Sequence, residues 1–210
     1  MKIVWLALFL SLVIIDSNAQ LIHSFGLKGG IIKAKQDWTL NVSYVHINST
    51  ARQGYDIGFF VEWFDFSNFN LLTEIHYTQK GTTGTLDESE IYSPPNQFPI
   101  LARIDYLTIP LLAKFKYQFD FFEIYCLIGP RFDIKIGIGN EQKNVSVVPL
   151  ESLKKTDLGS TFGLGCELIK ILPVKLGLEW RYCPNYLNIS TIERTNVINK
   201  SSEILLVIGL

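Results

Sequence analysis

The sequence predicts an all-β fold, an eight-stranded antiparallel up-and-down transmembrane barrel. Apolar and polar residues alternate with period two in eight segments. The connections between those segments alternate between short and long, as in a membrane barrel with tight turns at one end and extended loops at the other. After the first twenty residues no apolar run approaches the roughly 18 needed to read as a membrane helix.

Residues 1–19 read as a signal peptide. Lys2 supplies a positive start, Ile3–Ile15 is apolar, and Ser17-Asn18-Ala19 places small residues before a cleavage site at Gln20. The apolar run stops at Asp16, short of the roughly 20 residues that span a bilayer as a helix. Residues 20–210 then form one barrel domain.

In the first segment Phe25, Leu27 and Ile31 alternate with Ser24, Gly26 and Lys28. In the second, Tyr55, Ile57, Phe59, Val61 and Trp63 oppose Asp56, Gly58, Phe60 and Glu62. The third sets Thr73, Ile75 and Tyr77 against Glu74, His76 and Thr78, and the fourth sets Leu107, Ile109, Leu111, Ala113 and Phe115 against Tyr106, Thr108, Lys114 and Lys116. The fifth runs from Phe122 to Lys135, with Ile124, Cys126, Ile128, Phe132 and Ile134 opposite Glu123, Tyr125, Gly129, Arg131 and Asp133. Phe162, Leu164 and Leu168 oppose Gly163, Gly165 and Glu167 in the sixth, and Leu176, Leu178, Trp180 and Tyr182 oppose Lys175, Gly177, Glu179 and Arg181 in the seventh. The eighth is the least polarised, with Ile204, Leu206, Ile208 and Leu210 opposite Glu203, Leu205, Val207 and Gly209. Loops are expected near residues 35–52, 81–102, 138–156 and 184–199, and tight turns near 65–68, 118–120 and 169–173.

One face carries almost no charge, whereas the other collects both signs. A soluble lipocalin-like barrel would put apolar side chains inside and charges outside, but a membrane barrel turns this over. The expected lumen network is Asp56, Glu62, Glu74, His76, Lys114, Arg131, Asp133, Glu167, Glu179 and Arg181. Aromatics sort by strand end: Trp63, Tyr117 and Phe122 with Phe25 and Phe69 at the turn end, and Tyr55, Tyr77, Trp180 and Tyr182 toward the loop end. That is the distribution of two interfacial girdles.

Composition narrows function mainly by exclusion. The formal charge of −1 lacks the basic footprint of a nucleic-acid binder, and a mean hydropathy of +0.21 opposes disorder. Cys126, Cys166 and Cys183 are too scattered for a disulfide framework or a zinc site. Five glycosylation-type sequons, at Asn41, Asn48, Asn144, Asn188 and Asn199, fall in or beside expected loops, where asparagine-rich sequence produces such matches by chance.

The run Leu72–Gly81, then Tyr106–Lys114, Gly129-Pro130, Gly163–Glu167 and Leu178–Tyr182 resemble, in order and spacing, the landmarks of the PorT-like outer-membrane β-barrel family of Bacteroidetes. The resemblance spans nearly all of residues 20–210. It implies a barrel in the bacterial outer membrane; the namesake of the family takes part in protein secretion, and most members have no assigned activity. The sequence departs from many barrels in ending on Leu210 instead of an aromatic residue.

An enzyme at the barrel rim needs a nucleophile, a base and an orienting group, and histidine is limited to His23, His46 and His76. His76, two residues from Glu74, is expected to belong to the interior ion-pair network. No phosphate loop, metal motif or cofactor box appears, so no catalytic, metal or cofactor residue is assigned. An eight-stranded lumen is narrow enough for side chains to fill it, which ranks a solute or ion channel second to a structural or interaction role and a rim enzyme third. The expected partners are outer-membrane lipid, the barrel insertion machinery and a further envelope or secretion-system protein, with no nucleic acid.

Overall fold

A computed structural model describes residues 21–40, 45–64, 66–88, 96–139, 152–169, 174–193 and 195–210. The signal-peptide residues, and the sequons at Asn41 and Asn144, lie outside the described residues.

Eight strands form a closed antiparallel ring in chain order: β1 (Ile22–Leu40), β2 (Val45–Trp63), β3 (Phe69–Glu88), β4 (Asn96–Gln118), β5 (Phe122–Ile138), β6 (Thr156–Leu168), β7 (Lys175–Pro184) and β8 (Thr195–Gly209). Closure is made by β1 against β8, from Gly26↔Gly209 to Leu40↔Thr195. A closed ring pairs its backbone groups between strands and leaves no open edge, which is the condition for a sheet surrounded by hydrocarbon.

The two ends of the ring differ. The turn end holds the connections 64–68, 119–121 and 169–174 and both ends of the barrel chain, tied together where Phe25 and Leu210 exchange backbone hydrogen bonds of 3.3 and 2.8 Å. Phe64 adopts a positive φ of 61° as β2 turns back toward β3. The loop end holds the other four connections, those after β1, β3, β5 and β7.

Strand parity places the side chains as the alternation requires. Leu27, Ile57, Ile75, Ile109, Ile128, Leu164, Leu178 and Leu206 are exposed on the outer wall, while Lys28, Asp56, Glu74, His76, Lys114, Arg131, Glu179 and Arg181 are buried inside. A water-soluble protein does not turn ten or more aliphatic side chains outward in a continuous band while burying its charges.

Two expectations about connections are corrected. Residues 35–52 and 81–102 are mostly strand, because β1 runs on to Leu40, β2 begins at Val45, β3 reaches Glu88 and β4 begins at Asn96. Beyond a membrane boundary a strand keeps its backbone pairing but no longer needs one apolar face, so its alternation fades while its ladder continues, as in Ile47↔Leu86 and Thr85↔Pro99. The sequon residues Asn48 and Asn199 sit in strands, and Asn199 points into the barrel at 2% exposure, where no glycan fits. Asn188 is also committed, since its amide oxygen accepts the Ser190 and Val197 backbone N–H groups at 2.9 Å each.

Candidate functional site

The lumen is the one interior space that the ring encloses, and its side chains form tiers along the barrel axis. At the turn end Lys114 stands between three carboxylates, Glu123 at 3.1 Å, Glu167 at 3.2 Å and Glu62 at 3.4 Å. The Asn70 amide donates to Glu62 at 2.8 Å. Above this tier lies an apolar band of Phe60, Leu72, Leu112, Tyr125, Leu127 and Val207. Lys114 lies 4.3 Å from the Tyr125 ring centroid on one side of the band, and Lys28 lies 5.1 Å from that of Phe60, so the cations pack on aromatic faces.

The middle tier is the densest. Lys28 reaches Glu74 and Glu179 at 2.8 Å each, and Arg181 holds Glu74 with two bonds of 2.6 and 2.8 Å. Arg181 also pairs with Glu179, two residues away on the same face of β7, and the Tyr125 hydroxyl donates to Glu179 at 2.8 Å. His76 bridges two carboxylates, with Nδ1 2.5 Å from Asp56 and Nε2 3.0 Å from Glu74. Three cationic side chains thus face three carboxylates, a balance reached when both imidazole nitrogens donate. A buried ion group this complete avoids the cost of an unpaired charge in low dielectric.

The next tier centres on Asp133, which accepts from Lys80 at 2.7 Å, Thr108 at 2.6 Å and Asn185 at 2.9 Å. Arg131 contacts Asp133 at 3.4 Å and Glu203 at 3.5 Å and also donates to Asn185. Asn199 ties Asp157 at 2.8 Å to Gln36 at 3.1 Å.

Toward the loop end the lumen becomes apolar. Ile100, Ala102, Ile104, Tyr106 and Val197 on the wall meet Leu153 and Ile189 from the connections, with Trp38 and Ile47 packed against them. Leu153 and Ile189 are 4% and 0% exposed, so they fill the mouth of the barrel. They are carried by backbone that completes the wall: β7 stops at Pro184, and the following residues bridge the gap through Tyr186 N–H to Leu158 O (2.9 Å), Ile189 N–H to Val197 O (3.0 Å) and Lys154 N–H to Ile189 O (2.7 Å).

All ten expected lumen residues are buried and brought into these tiers. The expected network does not include Lys80, Asp157, Asn185 and Asn199, nor the apolar stopper at the mouth. Lys80 continues the Glu74, His76, Thr78 parity, and Ile100, Ala102 and Ile104 alternate with Leu101, Arg103 and Asp105, so both signals lie at the edges of the stretch expected to be a loop. Leu153 and Ile189 carry no periodicity.

The expected aromatic residues form two collars on the outer wall. At the turn end Tyr117, Phe119 and Phe122 stack in series, with centroids 4.9 and 4.5 Å apart, Phe69 meets Phe115 at 5.4 Å, and the Trp63 indole donates to Thr73 at 2.8 Å. Toward the loop end Tyr55 is 66% exposed, Trp180 and Tyr182 are exposed, and Tyr77 receives Gln79 at 3.2 Å and Arg103 at 3.4 Å on its hydroxyl. Beyond this collar Lys200 bonds Asp37 and, with Lys35, holds that carboxyl below the usual carboxylate range.

Glycine makes room for the network. An added methyl group at Gly58 would lie 2.4 Å from Cγ and Nδ1 of His76, which packs across it. Gly58→Ala is therefore expected to push His76 off Asp56 and to lower stability by about 1–3 kcal/mol, the ordinary cost of overpacking. Urea unfolding in lipid vesicles measures this, and Gly29→Ala, whose added methyl group meets Ile57 at 3.5 Å and the Asp56 carbonyl oxygen at 3.9 Å, both ordinary contacts, should change it far less.

A closed eight-stranded ring with an apolar exterior and a charged interior defines a small membrane β-barrel. The chain belongs to the outer membrane protein beta-barrel domain family, whose sequence profile matches residues 18–190. A solved structure agrees on the fold. Neisserial surface protein A is 12% identical with a TM-score of 0.52, over 92% of this chain and 99% of that one. OprG from Pseudomonas aeruginosa is 11% identical (TM-score 0.49; 89% and 95% covered), and the outer membrane protease OmpT from Escherichia coli is 7% identical (TM-score 0.44; 92% and 98% covered). No curated protein matches the sequence.

Proposed function

We propose that the protein is a non-enzymatic component of the bacterial outer membrane, a closed barrel with a structural or interaction role, and not a conduit. The signal peptide directs export and is cleaved near Ala19, the barrel insertion machinery folds the chain, the loop end faces outward, and the two aromatic collars sit at the membrane interfaces. Its place is among PorT-like barrels, with an envelope or secretion-system protein as the partner of the exposed ends.

The observation that carries this reading is the filled lumen. Ion-paired tiers occupy the barrel at three heights and the Leu153–Ile189 stopper closes its mouth, so ions would have to displace charges that already have partners. Catalysis finds no support there either. His76 spends both ring nitrogens on buried carboxylates, which leaves it no lone pair for proton abstraction.

Planar-bilayer recording of the refolded chain tests this, with folding verified by the faster migration of the unheated sample on a detergent gel. The expected result is folded protein without steady single-channel steps. Uniform steps that scale with protein would reverse the order of the two readings and make the protein a channel.

A further inference from the structure

Beyond the apolar band the outer wall is unevenly charged. On β1 the outward positions after Ile31 are Lys33, Lys35 and Asp37, and on β8 they are Ser202 and Lys200, with Lys33 paired to Ser202 and Lys35 to Lys200 across the β1–β8 seam. Lys35 lies 3.3 Å and Lys200 2.7 Å from the two oxygens of Asp37, so two ammonium groups, 44% and 47% exposed, share one carboxylate. Lys33 is exposed and forms no ion pair among the described residues. The patch therefore holds three positive charges against one negative. At the comparable level on β4, the outward Arg103 is neutralised by Asp105 at 3.1 Å.

The wall beneath the lysines is built for a lipid. Trp180 and Tyr182 flank it on β7, and the Trp180 indole donates to Ser202 at 2.9 Å, which leaves the serine proton for another acceptor. Ile31, Ile204 and Leu206 continue it downward as exposed aliphatic surface. Ile31 pairs with Tyr55 on one side and Ile204 on the other, and below it Gly29 pairs with Ile57 and Leu206, so the wall directly under the lysines is aliphatic and aromatic.

We propose that this face of β7, β8 and β1 binds a lipid of the outer leaflet through its phosphorylated headgroup, with Lys33, Lys35, Lys200 and Ser202 donating to phosphate oxygens and an acyl chain lying along the wall of Ile31, Ile204 and Leu206. The proposal rests on the outward orientation of the loop end. Phosphate is the matching chemistry because it offers several strong acceptors at a membrane surface, where each lysine strengthens attachment. Attachment to a lipid, rather than free phosphate, follows from the exposed aliphatic wall directly below.

The test uses the refolded full chain in phosphatidylcholine vesicles doped with diphosphoryl lipid A, and reads the lipid phosphate retained by the barrel after mild detergent extraction. The parent should retain it, more weakly as salt rises. Lys33→Gln, Lys35→Gln and Lys200→Gln combined should lower apparent affinity on the order of tenfold or more. The three arginine replacements should preserve retention, as should Arg103→Gln on the opposite wall. Inorganic phosphate at matching concentration should not compete. Salt-independent retention by the parent, equal retention by the glutamine variant, or full competition by inorganic phosphate would each overturn the lipid site. A parent that never inserts into the vesicles overturns the membrane orientation itself, whereas one that inserts and retains nothing overturns this proposal alone.

Discussion

Ile109→Arg and Ile128→Arg are each expected to cost about 2–4 kcal/mol in folding stability in lipid, the penalty for a cation at the midplane of a barrel wall. Ile109 on β4 is 40% exposed and pairs with Phe132; Ile128 on β5 is 47% exposed and lies between Ala113 and Phe162. The sizes of these losses discriminate, because the same exposed positions on a water-soluble surface would tolerate arginine to within about 0.5 kcal/mol. Urea titration of vesicle-inserted protein, scored by the gel shift, measures them. Losses that small for both variants would mean that the aliphatic wall does not face hydrocarbon.

The second large effect is internal. Glu74→Gln keeps the shape of the side chain but leaves Lys28, His76 and Arg181 facing only Asp56 and Glu179, and a cost of about 3–5 kcal/mol is expected from the uncompensated buried charge. Glu74→Leu with Arg181→Met restores a balance of two cations and two carboxylates. That double variant should recover much of the loss, because apolar replacement of a complete buried pair is often neutral. Glu123→Gln offers the contrast: Lys114 keeps Glu62 and Glu167, and Glu123 lies 7% exposed near the turn end, so about 1 kcal/mol is expected. If Glu74→Gln cost no more than Glu123→Gln, the middle tier would not be a closed ion group.

The membrane part of the barrel was legible in the sequence because a wall between hydrocarbon and a charged lumen forces a strict period of two. From Tyr55 to Trp63 the odd and even positions could not be exchanged without turning Asp56 and Glu62 into lipid. The same parity carries the ten charged and histidine residues that are buried inside the ring, because in a wall facing hydrocarbon such side chains have no other place to go.

Legibility ended where that constraint ended. The described parts of 35–52 and 81–102 keep a backbone ladder whose outer face meets no hydrocarbon, so the apolar residues there, such as Ile100 and Ala102, turn inward and the strand no longer shows the apolar outer parity that marks the membrane part. The stopper was hidden for a different reason: Leu153 and Ile189 reach the mouth through contacts between distant segments, such as Lys154 with Ile189 and Ile189 with Val197. The partner assignments within the tiers were equally out of reach, because parity places Glu74 inside the barrel but only the shear between strands brings it against Arg181, 107 residues away.

The native cysteines test the central claim that the apolar face meets lipid and the charged face fills the lumen. Cys126 and Cys166 are exposed on the outer wall of β5 and β6, whereas Cys183 is buried inside, 3.7 Å from Thr161. In vesicle-inserted protein a lipid-partitioning diazirine, whose photogenerated carbene needs no thiolate, is expected to modify Cys126 and Cys166, and Cys183 only after unfolding, with peptide mass mapping to assign the sites. Modification of Cys183 in the folded protein, with Cys126 and Cys166 protected, would show that the faces are reversed and contradict the account.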